Sequence, residues 1–295
     1  PAAVGSHFGV NADAIEGEWG DLSELWIEQA LADGNLLARV GKLDLTGAFQ
    51  CRGCDTSFDG NKYANDETSQ FLNGALVNNP TIPFPDLTFG AAFFASPHEK
   101  WHLGAGVALG DDDEDASWGS ANQGVFAIGE ASFIPEAGRS GERGRAQYRA
   151  GLWYRTDAGG DSNDEQRGAY VSVSQPIRLA SKRSDGEGGL SLFARAGWAD
   201  GPGAELDDFW SLGLEYEGLR GEEDVLGLGM GRGRFARGAE PEAPSGSETV
   251  WELYYNTPVT SQIAVSPSLQ YVADPGGETT KDALIVALRL QITLD

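Results

Sequence analysis

Between Thr249 and Asp295 the chain alternates apolar and polar residues three times over, in runs of about ten. The last run sets Leu284, Val286, Leu288, Leu290, Ile292 and Leu294 on one parity and Ala287, Arg289, Gln291 and Thr293 on the other. The middle run sets Ile263, Val265, Leu269 and Tyr271 against Ala264, Ser266, Ser268 and Gln270. In the first, Trp251, Leu253 and Tyr255 oppose Glu252, Tyr254 and Asn256. A strict period of two makes one face of a strand apolar and the other polar. Ten residues at roughly 3.3 Å each, tilted by ~45°, cross the apolar band of a membrane. The pattern predicts an all-β fold, an antiparallel transmembrane β-barrel over residues 1–295 as a single domain.

Composition bears on this in one place. The mean hydropathy is negative, and no apolar run approaches the ~18 residues of a membrane helix. A barrel escapes that test, because lipid-facing and lumen-facing residues cancel in the average. A soluble secreted β-protein alternates too, so a glycan-binding β-sandwich is the competing reading. A net charge of −24 argues against nucleic acid as a partner, since phosphate binding needs clustered Lys and Arg. No signal peptide is visible at Pro1, so an exported protein would be represented by a processed or truncated chain.

Further runs of strand length follow upstream: 7–17 (weakly), 22–31, 36–45, 87–95, 101–109, 125–134 (with ambiguous phase), 147–156, 169–175, 190–199, 210–218 and the glycine-rich 225–235. With the last three they make about fourteen. Their connections alternate. One set, 32–35, 96–100, 135–144, 180–189, 219–224 and 257–262, is mostly short or moderate. The other, 46–86, 110–124, 157–168, 200–209, 236–248 and 273–281, is mostly longer and holds the acidic loops. Short turns at one rim and long loops at the other are the layout of an outer-membrane barrel, with the short turns in the periplasm. The last strand then ends at the periplasmic rim, and an even strand count puts the N-terminus there as well. Trp26, Trp101, Trp153, Trp198, Trp210, Trp251, Tyr216, Tyr255 and Tyr271 lie in or at the ends of strands, where outward-facing rings form interfacial girdles.

Several stretches carry a family likeness. They are Leu25-Trp-Ile-Glu-Gln29, Val40-Gly-Lys-Leu43, Phe71-Leu-Asn-Gly74, Leu212-Gly-Leu-Glu-Tyr-Glu-Gly-Leu219, Asp224-Val-Leu-Gly-Leu-Gly229, Glu252-Leu-Tyr-Tyr255, Pro267-Ser-Leu-Gln-Tyr-Val-Ala-Asp-Pro-Gly-Gly277 and Ala287-Leu-Arg-Leu290. Together they resemble the carbohydrate-selective porins of the OprB type, in that family's order. The resemblance implies a sixteen-stranded barrel of the bacterial outer membrane that passes sugars by diffusion. Two departures stand out. About fourteen strands are visible, which implies that N-terminal strands are missing from this chain or that two have been merged. The sequence also ends Thr293-Leu294-Asp295, where many outer-membrane barrels end in an aromatic residue.

A diffusive pore needs no nucleophile, metal or cofactor. It needs groups that replace a sugar's water: charged and amide side chains for the hydroxyls and rings for the C–H faces. The expected lining is Arg149, Trp153, Arg155, Phe193, Arg195, Glu215, Glu217, Glu252, Tyr254, Gln270, Arg289 and Gln291. The competing role for each is an electrostatic lattice that braces the strands. The loop 46–86 is the candidate constriction, with residues 68–77 as a short amphipathic helix; an exposed surface loop is the alternative.

Cys51 and Cys54 read as a small structural disulfide, against a redox pair or half a zinc site; His7, His98 and His102 have no ligand spacing. The run Gly110-Asp-Asp-Asp-Glu-Asp115, with Asp161, Asp164, Glu165, Asp207, Asp208 and Glu242, loads the long-loop rim with carboxylates. These read as a solvated rim, with Ca²⁺ or divalent cations near lipopolysaccharide as the alternative. The expected partners are sugars, small solutes, outer-membrane lipid and lipopolysaccharide, and a homotrimer is one possible assembly. A barrel lipase or protease is the enzymatic alternative, and no Ser/His or Asp/His set near the rim supports it.

Overall fold

The computed structural model describes residues 4–12, 24–46, 49–51, 54–61, 63–64, 70–85, 87–110, 124–135, 146–156, 165–177, 189–221, 223–237, 245–277 and 281–293. The strands, in chain order, are β1 (Leu25–Leu31), β2 (Leu36–Leu43), β3 (Phe49–Cys51), β4 (Cys54–Thr56), β5 (Thr88–His98), β6 (Trp101–Leu109), β7 (Val125–Phe133) and β8 (Gln147–Thr156). They continue as β9 (Gln166–Ile177), β10 (Gly189–Asp200), β11 (Leu206–Glu217), β12 (Val225–Phe235), β13 (Ser247–Pro258), β14 (Ile263–Ala273) and β15 (Ala283–Ile292). One short helix, α1 (Gly74–Val77), lies in the β4–β5 connection.

Thirteen of the strands form one antiparallel meander in the order β1-β2-β5-β6-β7-β8-β9-β10-β11-β12-β13-β14-β15. Every neighbour in it is the next strand of that sheet along the chain, as expected where only short links and loops join antiparallel strands. β3 and β4 form a separate hairpin that pairs Cys51 with Cys54 in register; the side chains of that pair lie outside the described residues. Alternation holds along each spanning strand. On β15, Leu284, Val286 and Leu288 are 69, 79 and 71% exposed, while Ala287, Arg289 and Gln291 are half-buried. On β8, Tyr148, Leu152 and Tyr154 face out while Arg149 and Trp153 are buried. A barrel inverts the usual rule of burial, with apolar groups outside and polar groups inside.

Two aromatic belts mark the outer surface. Near the short-turn rim, Trp101 lies tilted against Phe133 at 4.8 Å and Phe133 stacks on Tyr148 at 6.4 Å. Toward the long-loop rim lie Tyr154, Trp198, Trp210 and Trp251, the last beside Tyr271 at 5.5 Å. Trp26 and Trp153 do not belong to either belt. Trp153 is 3% exposed and points inward. Trp26 shares the inner face with Glu28, and the guanidinium of Arg39 sits 4.0 Å over its ring.

Three expectations change. Of the weak candidate strand 7–17, the described part, residues 7–12, is not a strand but an irregular segment in the barrel interior. The connection 200–209 is only 201–205, because β10 and β11 extend through Asp200 and Leu206. Ion pairs of Arg167 with Asp200 and of Arg234 with Asp208 carry both ladders to the rim. Among the described residues the sheet has thirteen strands and not an even number, so β1 and β15 run in the same direction, and β1 starts at the long-loop rim. Among the described residues these two edges share no ladder.

Candidate functional site

The loop between β2 and β5 folds into the barrel. Phe58, Tyr63, Ala64, Phe71, Leu72, Ala75, Leu76, Val77 and Ile82 are all buried against the inner wall. This explains the inner-face pattern of the strands it meets. On β7, Phe126 and Ile128 point inward, into the same cluster as Phe58 and Phe94, and Glu130 follows on the same parity. On β12 the inner face runs Gly227, Gly229, Gly231 and Gly233 between Val225 and Phe235. That stripe is the seat of α1. A Cβ at Gly229 would lie 2.9 Å from Leu76 Cδ1 and 3.0 Å from Phe71 Cε1.

Buried charges grip the loop at two places. On the β7–β10 wall, Arg149 donates to Glu130 Oε1 and to the Ser57 carbonyl, both at 2.7 Å. Tyr170 donates its hydroxyl to the other Glu130 oxygen at 2.8 Å, and the Asp59 N–H donates to that oxygen at 2.9 Å. Arg195 is the hub. Its guanidinium donates to the Val77 carbonyl at 2.8 Å and the Asp59 carbonyl at 3.1 Å, and its Nε lies 3.3 Å from Asp59 Oδ2. Asp59 also accepts from the Asn79 N–H at 3.0 Å. Burial pushes the Asp59 carboxyl up to about 6, with Arg195 opposing. At neutral pH the pair is therefore ionised.

On the β13–β14 wall, Glu252 accepts the N–H groups of Leu72 at 3.0 Å and Asn73 at 2.9 Å, and the Ser268 hydroxyl at 2.7 Å. Gln270, opposite Glu252 in the ladder, accepts from Asn73 Nδ2 at 3.1 Å and donates to the Val10 carbonyl at 2.9 Å. Asn73 caps α1 by accepting the Ala75 N–H at 3.1 Å. Glu252 thus binds the N–H groups leading into α1, and Arg195 the carbonyls at its end. Residues 4–12 lie beside them: Ser6 and the His7 N–H donate to Glu248 at 2.5 and 2.8 Å.

Of the expected lining, Arg149, Phe193, Arg195, Glu252, Tyr254 and Gln270 are buried, at the wall against which the loop packs. Glu215 accepts from the Tyr254 hydroxyl, and Glu217 follows it on the inner parity, nearer the short-turn rim. Gln291 accepts from Asn256 at 3.3 Å, while Arg289 sits on the same inner face of the last strand. Trp153 and Arg155 take part in a different feature. A cavity of about 650 Å³ opens between residues 78–87 and the inner face of β8–β11. Its wall includes Asp44, Phe84, Trp153, Arg155, Gln166 and Glu205. It combines rings, guanidinium, amide and carboxylate around one open cavity, the set that hydrogen-bonds sugar hydroxyls and stacks on their C–H faces.

Sequence reasoning missed Glu130 and Asp59, the counter-ions of Arg149 and Arg195. It also missed Asp44, Phe84, Gln166 and Glu205. Glu130 was hidden by the ambiguous phase of its strand. The others sit in loops or next to strand ends, where alternation gives no signal. Among the described residues no three His, Cys, Asp or Glu side chains form a metal-holding group. Of the expected acidic rim, residues 111–115, Asp161, Asp164 and Glu242 lie outside the described residues, and Asp207 and Asp208 pair with Arg234.

An antiparallel meander with an apolar exterior, two aromatic belts, a charged interior and an infolded loop is the build of a membrane diffusion channel. Comparison with known proteins agrees. The chain belongs to the carbohydrate-selective porin, OprB family, whose model matches residues 4–294. It is similar to Porin B of Pseudomonas aeruginosa, with 23% identity across 92% of this chain and 67% of that protein. A high-pH structure of Pseudomonas putida OprB shares the fold, with TM-score 0.70 and 22% identity over 92% of this chain and 72% of that one. A low-pH structure of the same protein gives TM-score 0.57 and 21% identity over 92 and 67%. The protein is a porin, and the soluble β-sandwich reading is set aside.

Proposed function

We propose that this porin sits in the bacterial outer membrane and passes neutral sugars and small hydrophilic solutes, with the loop 46–86 as its constriction. The observation that carries this is the double grip on the loop, by Arg195 at Val77 and by Glu252 at Leu72 and Asn73. A loop held so firmly across a wet interior sets the width of the path. The cavity beside it, on the long-loop side, is the first site where a sugar sheds water, stacking on Phe84 or Trp153 and bonding to Arg155, Asp44 and Gln166. No group in it is asked to make or break a covalent bond.

Liposome swelling with a size series of neutral sugars tests the proposal. Rapid swelling with glucose-sized solutes that slows for larger ones is expected. Replacing Arg155 by Ala should slow sugar entry with the barrel still heat-modifiable on gels. A folded barrel that gives no swelling would overturn the reading.

A further inference from the structure

On the outward face of the thirteen spanning strands, Asp, Glu, Lys and Arg occur only near the long-loop rim: Lys42, Arg167, Asp200, Asp208, Arg232 and Arg234. An arginine facing hydrocarbon costs about 2–4 kcal/mol at the bilayer midplane and about 0–1 kcal/mol at the interface. These residues therefore belong at headgroup level. Two of the arginines are neutralised there. Arg167 pairs with Asp200 at 3.0 Å, and Arg234 pairs with Asp208 and, at 3.2 Å, Asp207.

Arg232 differs. It is exposed, and among the described residues its side-chain partner is the Ser247 hydroxyl at 3.0 Å. In the ladders it lies opposite Trp210 on β11 and Thr249 on β13. One step toward the membrane centre, the facing residues are Leu212, Met230 and Trp251. A guanidinium has five N–H donors, and the bond to Ser247 uses one of them on an exposed side chain. The partner that fits carries an anion above an apolar tail.

We propose that Arg232, flanked by Trp210 and Thr249, binds a phosphate of a lipid A headgroup in the outer leaflet, with an acyl chain lying on Leu212, Met230 and Trp251. The guanidinium matches a phosphate with paired parallel bonds. Asp207 and Asp208 do not oppose the anion, because Arg234 holds them. This rests on the outer-membrane reading above.

The test is titration of the purified full chain in detergent with diphosphoryl lipid A and with its phosphate-free counterpart, followed by native mass spectrometry. Losing one charge-assisted contact, about 1.5–3 kcal/mol, corresponds to roughly ten-fold or more in affinity. Arg232→Gln should bind diphosphoryl lipid A about ten-fold more weakly, while both proteins bind the phosphate-free lipid equally. Equal binding of the phosphorylated lipid by wild type and variant would overturn the proposal. So would full displacement by inorganic phosphate at the lipid's own concentration, which would mark a site for free phosphate. Sugar swelling, read in parallel, should be the same in both proteins; its loss in both would count against the channel reading and not against the lipid site.

Discussion

Arg195 is fully buried, so its removal leaves the Asp59 carboxylate without its counter-ion and the Val77 and Asp59 carbonyls without a donor. Breaking a buried ion pair from one side typically costs about 3–5 kcal/mol. Arg195→Ala should lower the unfolding free energy of the barrel, measured in urea, by an amount in that range, and a change below about 1 kcal/mol would show that Asp59 and Val77 find other partners. Asp59 gives a pH signature. Its carboxyl titrates at about 6 in the folded protein against 3.8 in its ordinary state. The folded state therefore holds the proton more tightly, and this contribution is fully present below the ordinary value and lost as pH rises through 6. Wild type should lose up to about 3 kcal/mol relative to Asp59→Asn between pH 4 and pH 7. A flat difference, or one of opposite sign, would mean that Arg195 and not burial sets the titration. At this scale the sequence told inside from outside but not partner from partner. Arg149 and Arg195 fall on the inner parity by alternation alone. That they meet Glu130 and Asp59, and not Glu215 or Glu252, depends on a loop whose path no periodicity records.

The strands were the legible elements. β6, β8, β12 and β15 have the boundaries or near-boundaries their alternation predicts, because each has lipid on one side and a packed interior on the other. Alternation blurred where the interior is itself apolar. β7 turns Phe126 and Ile128 inward to meet the loop, and β12 offers four glycines between Val225 and Phe235, so neither reads as polar inside. The residues 68–77 were expected to hold a helix, and α1 occupies Gly74–Val77 of them, capped by Asn73, while residues 68 and 69 lie outside the described residues. This seat is testable. Gly229→Leu would drive a side chain into Leu76 and Phe71, and overpacking of this kind costs about 1–3 kcal/mol. The strain is relieved most easily by lifting α1 off the wall. Limited proteolysis should then cut near residues 65–78 faster than in wild type, whereas equal protection would show that α1 is held by other means.

For the whole molecule, the rim-by-rim sorting of connections already identified the barrel, since a sandwich has no reason to separate its loops by parity. The strand count was less legible, because an irregular segment at residues 7–12 and a strand look alike over so few residues. The net charge of −24 has a consequence at this scale. We propose that the acidic loops line the mouth; carboxylates there would concentrate cations, so the reversal potential in a KCl gradient should favour potassium, and a chloride preference would show that these loops do not face the ion path. The central claim is that the infolded loop, latched by Glu252 and seated on β12, sets the width of a sugar channel. Single-channel conductance in planar bilayers tests it most directly, comparing wild type with the double variant Glu252→Gln and Gly229→Leu. The account predicts a folded, heat-modifiable barrel with larger conductance and passage of sugars that the wild type excludes. An unchanged conductance and size limit from a folded variant would contradict it.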